Sequence, residues 1–209
     1  MIPVKVLSVR YLANAAPALC KALGAPENCP SLGLITTDSD DATYIALDEA
    51  TKASAVQVCY SRSFYAGAAN ASTPNAGEVI GILAGATPGA VRSGMEAALS
   101  ALERIGFESA GDVPYLAHTV SRTGAFLSKE AGVPEGTALA YLIAPPLESM
   151  YALDGAMKAA DVKLQKLYAP PSETNLGGGL LTGSQSACEA ACAAFAQAVA
   201  EVASNPRGV

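Results

Sequence analysis

Ala46-Leu47-Asp48-Glu49-Ala50-Thr51-Lys52-Ala53-Ser54-Ala55-Val56 returns later in the chain as Ala152-Leu153-Asp154-Gly155-Ala156-Met157-Lys158-Ala159-Ala160-Asp161-Val162, with seven of eleven positions identical. Alanine inflates such matches, so the order of segments around each copy is the stronger test of an internal repeat. An apolar run precedes each copy, at residues 31–35 and 139–143, and a strand-like segment follows, at residues 56–60 and 162–168. A loop rich in Gly, Ser, Pro and Asn comes next, then another apolar run and a long Ala-rich helix. Each copy therefore reads strand, short helix, strand, helix, strand, loop, strand, helix. The first opens with a strand at 4–9 and a helix at 15–23, the second with a strand at 115–120 and a helix at 125–130. The prediction is an α/β (α+β) fold made by tandem duplication of one small sheet flanked by helices.

The stretch Phe107-Glu108-Ser109-Ala110-Gly111-Asp112-Val113-Pro114 has turn residues and no periodicity, which places the boundary there, with domains at 1–107 and 108–209. Two helix starts carry chemical marks: Thr87 before Pro88, and a capping box from Ser186 and Glu189. Ala46, Ala50 and Ala53, like Ala152, Ala156 and Ala159, give the matched helices small-residue faces. The acid-before-base pairs Asp48/Lys52 and Asp154/Lys158 read as solvated helix surface.

Of 209 residues, 51% are hydrophobic and only 15% charged, with no Trp, so the apolar content is mainly small and aliphatic. A net charge of −6 without any Lys/Arg cluster argues against a phosphate backbone as partner, and no nucleic-acid role is expected. No window reaches the roughly 18 apolar residues a bilayer span requires, and Met1-Ile2-Pro3-Val4-Lys5 lacks a signal-peptide core, so a cytosolic protein off the membrane is expected. Cys20, Cys29, Cys59, Cys188 and Cys192 are odd in number and lack CxxC spacing, which points to neither a disulfide framework nor a zinc site. Cys188 and Cys192 line up with Phe195, Val199 and Val202 as the buried stripe of a helix.

Fingerprints for nucleotide phosphates and for a hydrolase nucleophile elbow are missing. Gly177-Gly178-Gly179 reads as flexible loop, and His118 as a structural residue of a strand. The acidic run Asp38-Ser39-Asp40-Asp41 precedes a helix expected at 43–52, where carboxylates cap free N–H groups, and a cation site is the alternative reading. Two long loops, at 61–77 and 169–179, occupy equivalent places in the two copies and suggest a shared feature such as a symmetry axis or a pore.

Several of these motifs, in fixed order, resemble the tandem-domain shell proteins of ethanolamine-utilisation bacterial microcompartments. They are Ser31-Leu32-Gly33-Leu34-Ile35, Asp48-Glu49-Ala50-Thr51-Lys52, Tyr65-Ala66-Gly67-Ala68, Val120-Ser121-Arg122-Thr123-Gly124, Ala144-Pro145-Pro146-Leu147-Glu148, Pro171-Ser172-Glu173-Thr174-Asn175 and Leu181-Thr182-Gly183-Ser184-Gln185. The resemblance implies two circularly permuted microcompartment domains per chain and a homotrimer that imitates a hexameric tile. It further implies edge-to-edge packing with other shell proteins in the cytoplasm, and neither catalysis, cofactor nor metal. A gated central pore would be bordered by Phe64, Tyr65, Ala66 and Gly67 and by Glu173, Thr174, Asn175, Leu176 and Gly177. A small pore for ethanolamine would use Asp40, Glu78, Phe107 and Thr174. An ammonium with a hydroxyl two carbons away suits carboxylates and a threonine. The alternatives are a tile of an ethanol- or propanediol-processing compartment, and an α/β enzyme using Asp40 and Glu78 as paired acids.

Overall fold

Every position in the central strands has a face to cover, and in both halves these strands are apolar almost throughout. The computed structural model describes residues 1–64, 77–170, 172 and 174–208. In order, the elements are β1 (Val6–Leu12), α1 (Pro17–Ala22), β2 (Ser31–Thr37), α2 (Asp40–Ala53), β3 (Val56–Ser63), β4 (Val79–Gly85) and α3 (Pro88–Leu102), followed by β5 (Glu108–Ala110), β6 (Val113–Val120), α4 (Ala125–Ala131), β7 (Leu139–Ala144), α5 (Pro146–Ala159), β8 (Val162–Tyr168), β9 (Gly177–Gly183) and α6 (Gln185–Ser204). The predicted order of strands and helices is found in both copies.

Two compact units result. One, the N-terminal unit, is Pro3–Ile105 together with Gly124–Leu127; the other, the C-terminal unit, is Met1–Ile2, Gly106–Thr123 and Ser128–Val209. The N-terminal sheet has the order β1-β2-β4-β3 and the C-terminal one β5-β6-β7-β9-β8. All pairings are antiparallel. The duplication extends to irregularities: β3 shifts register between Val58 and Tyr60, and β8 between Leu164 and Lys166, 106 residues further on.

Both units use the two sheet faces as the strand period dictates. In the N-terminal unit Leu32, Ile82 and Ala84 pack with Ala15, Cys20 and Cys29 around α1. On the opposite face a Cβ at Gly33 would lie 2.7 Å from Val91 Cγ1, so only glycine lets α3 sit this close to β2. In the C-terminal unit Leu142, Ala152, Leu153, Leu181, Cys188, Phe195 and Val199 form the core between the sheet, α5 and α6.

Four local expectations are corrected. Gly177-Gly178-Gly179 is not loop but the start of β9, buried in the sheet. A Cβ at Gly178 (φ +156) would lie 1.9 Å from the Leu142 carbonyl oxygen, so the glycine run serves strand packing rather than flexibility. Residues 107–114 contain the short strand β5, hydrogen-bonded to β6 around Gly111 (φ +60). The α6 cap is Ser184, which accepts from the Ala187 N–H, while Glu189 accepts from Gln185 Nε2, so Ser186 and Glu189 form no capping box. Asp48, expected in solvent, is fully buried, whereas Asp154 is exposed as expected. The Thr87 cap is found, accepting from Ala90 N–H.

The buried stripe of α6 holds Cys188, Cys192, Phe195 and Val199, with Val202 half-buried. All five cysteines are free thiols.

Candidate functional site

Helix α2 begins three residues earlier than expected, so Asp40 and Asp41 occupy its first turn instead of preceding it. Their charge still meets the positive end of the helix dipole. Ser39 is the N-cap but makes no side-chain cap bond, and its buried Oγ is the one buried side-chain polar atom without a hydrogen-bond partner among the described residues. Asp40 Oδ1 accepts from the Asp41 N–H at 2.8 Å, and Oδ2 accepts from the Ser63 hydroxyl at 2.6 Å. Asp38 Oδ1 accepts from the Lys5 N–H at 2.7 Å.

Ladder hydrogen bonds fix the opposite side of this corner. The Phe64 N–H donates to the Glu78 carbonyl at 2.9 Å, and the Glu78 N–H to the Thr37 carbonyl at 2.8 Å. Glu78 is thereby held between the end of β3 and the end of β2, facing the acids at the start of α2. Its side chain is exposed, yet its carboxyl is raised above the ordinary 4.5, first by partial desolvation and then by the negative charges of Asp40 and Asp38. Concentrated negative charge beside serine hydroxyls is a setting that a small cation relieves, since each carboxylate gains a counter-charge.

Asp40 and Glu78 thus come together within the N-terminal unit. Phe107 and Thr174 belong to the C-terminal unit: the Phe107 carbonyl accepts from the Ile2 N–H, and the Thr174 hydroxyl lies 3.3 Å from that of Ser172. Ser39 and Ser63 were not legible as site residues, because nothing in a lone serine announces which strand end will meet which helix. Of the predicted gating residues, Tyr65, Ala66, Gly67 and Glu173 lie outside the described residues. Phe64 follows the end of β3, and Asn175 (φ +65) and Leu176 precede β9. Gly177 is the first residue of β9 and is buried.

Among the described residues no group of three or more His, Cys, Asp and Glu side chains is placed to hold a metal ion. Nor is any helix among them long and apolar enough to cross a membrane.

A duplicated antiparallel α/β module defines the class. The family model of the BMC domain matches residues 31–113, and the fold is that of bacterial microcompartment shell proteins. A shell protein named EutL from Clostridium perfringens is 60% identical, with 100% of this chain and 98% of the relative covered. Its counterpart from Escherichia coli is 49% identical over 99% of this chain and 96% of the relative. The crystal structure of the ethanolamine utilization protein EutL from Leptotrichia buccalis superimposes with a TM-score of 0.97 at 59% identity, covering 100% of this chain and 98% of that one. The chain belongs to the EutL family of bacterial microcompartment shell proteins, and its role is structural rather than enzymatic.

Proposed function

We propose that three copies of this chain close a ring of six modules, a pseudohexameric tile of an ethanolamine-processing compartment, with small cations admitted at the acidic corner. The domains are 1–107 and 108–209 in this reading. The observation that carries it is the duplication, which repeats strand order, helix order and even the β3/β8 irregularity. A head-to-tail contact between like modules closes only when the rotation returns to its start, and two modules per chain turn six-fold closure into three-fold. Light scattering should give roughly 63 kDa, three times the 21.0 kDa chain. A stable monomer at micromolar concentration would end this reading.

For the ligand, the support is the convergence of Asp40, Glu78 and Asp38 beside the Ser63 hydroxyl and the unpartnered Ser39 Oγ. Ethanolamine offers an ammonium for the carboxylates and a hydroxyl for a serine. The expected partners Phe107 and Thr174 are not needed for it. The segments after Phe64 and around Asn175 are proposed to border a central pore, because they fall at equivalent places in the two modules. Single-particle images of the assembly sorted by density at the three-fold axis test this, and one invariant class would leave a fixed opening without a gate.

A further inference from the structure

Of the six residues of α1, Cys20 alone is buried. So short a helix does not hold itself in water, and this one has no side-chain cap. Its place on the sheet depends on that anchor and on the bond from the Ala25 N–H to the Cys20 carbonyl. The anchor is a thiol set among other thiols. Cys20 and Cys29 belong to the core formed with Ala15, Leu32, Ile82 and Ala84, and Cys59 packs against it from β3.

Cys59 reaches that core because of the β3 irregularity. Val58 pairs with Leu83 and Tyr60 with Ile82, so Cys59 is the extra residue of a bulge. A bulge re-aims the side chain it carries, and here Cys59 and Tyr60 pack on the same core although they are consecutive in a strand. A Cβ at Gly24 would lie 3.5 Å from the Cys59 carbonyl oxygen, which sets the turn that ends α1 against the bulge, just past Cys20. The Cys59 thiol donates to the Ile82 carbonyl at 3.5 Å. Burial above all pushes this thiol up to about 11, and the nearby thiols of Cys20 and then Cys29 push the same way. In the C-terminal unit the bulge falls at Gln165, and the residue that matches Cys20, by the bond from the Val133 N–H to its carbonyl, is Ser128. The duplicated frame thus carries both thiols in one copy and neither in the other.

We infer that Cys20 and Cys59 are a dithiol that a low-molecular-weight disulfide converts to an internal disulfide, a redox latch fastening α1 to the bulge of β3. Cys59 is half-buried and Cys20 buried, so Cys59 meets the reagent first. It loses its proton to solvent, and the thiolate attacks the reagent to form a mixed disulfide as one reagent thiolate leaves. The Cys20 thiolate, its proton also passed to solvent, then attacks the Cys59 sulfur and expels the second. Two protein thiols are oxidised and one reagent disulfide is reduced to two thiols. Cys29 keeps its thiol, which donates to Asn28 Oδ1 at 3.6 Å. The latch closes a loop of about forty residues in the unfolded chain, so the oxidised protein melts several degrees higher than the reduced one.

Incubating the unchanged protein with glutathione disulfide at pH 8 and mapping unreduced peptides by mass spectrometry tests this. The expected product joins the Cys20 and Cys59 peptides and forms about tenfold faster per pH unit, as attack by the Cys59 thiolate requires. Dithiothreitol should reverse both the link and the rise in melting temperature. Cys20→Ser should stop with glutathione on Cys59, and Cys59→Ser should give neither product. A chain that stays unlinked when folded, while the same protein in urea is readily oxidised, overturns the inference. A link from Cys59 to Cys29, or glutathione that stays on Cys59 in the unchanged chain, overturns it equally.

Discussion

The Asp48 carboxylate, fully buried on α2, accepts hydrogen bonds from the N–H groups of Gly124 at 2.7 Å and Leu127 at 2.8 Å, binding the start of α4 to a helix more than seventy residues earlier. Burial raises its carboxyl above the ordinary 3.8, although both N–H donors and Lys52 favour the charged form. Gly124 is required because a Cβ there would lie 2.3 Å from Thr51 Oγ1 and 2.7 Å from the Asp48 carbonyl oxygen.

Asp48→Ala strands two buried N–H groups, each costing about 1–3 kcal/mol when left unpaired. A loss of about 2–4 kcal/mol is expected in urea denaturation, one of the larger single-residue effects in the chain. A midpoint shift worth less than about 0.5 kcal/mol would show that water replaces the carboxylate at no cost.

Glu78→Gln should raise stability and weaken cation binding at once. The folded carboxyl is raised, so relative to the unfolded chain its protonated form is favoured. Its stability contribution is present below about pH 4.5 and lost as pH rises through the higher folded value. The glutamine variant should therefore melt higher than the parent at pH 7 and match it at pH 4. Ethanolamine affinity of the parent should increase over the same rise in pH, and Asp40→Asn should reduce it by about tenfold or more, as loss of a charge-assisted bond does. Calorimetry that finds pH-independent affinity and no effect of either amide would remove the ligand assignment.

Gly178→Ala sets a methyl against the Leu142 carbonyl oxygen, so β7 and β9 must separate. Gly111→Ala meets nothing within 4 Å and carries only the strain of φ +60. The second should cost about 1–2 kcal/mol, the left-handed penalty alone. The first should prevent recovery of folded protein or lower the melting temperature several times further. Equal melting temperatures would mean that β9 relaxes around the methyl group.

Cys59 and Cys192 have thiols pushed up to about 11, chiefly by burial. At pH 8 only about one in a thousand is thiolate, so alkylation should run more than a hundredfold slower than for a free cysteine, which has a pKa of about 8.5. The rate should climb about tenfold per pH unit in the folded protein. Rapid modification at pH 8, read by mass spectrometry, would show that these positions open to solvent.

Much of this architecture is written locally. The repeated Asp-x-x-x-Lys helices, the apolar runs before and after them and the Thr87 cap fix where strands and helices form, because each is a matter of period or of one residue three positions from its partner. The tertiary structure decided what depends on neighbours far apart in the chain. Asp48 and Asp154 share one local sequence, and the pairing with Gly124 and Leu127 alone buries the first while the second stays open to solvent. Gly177-Gly178-Gly179 reads as a flexible loop until β7 and β8 lie against it, where a Cβ at Gly178 would meet the Leu142 carbonyl oxygen and one at Gly179 the Lys166 carbonyl oxygen. Ser63 becomes a partner of Asp40 only when the end of β3 is laid beside the first turn of α2. Local sequence sets which conformations are cheap, and long-range packing sets which group loses its water, so element identity was legible and the chemistry of individual carboxylates was not.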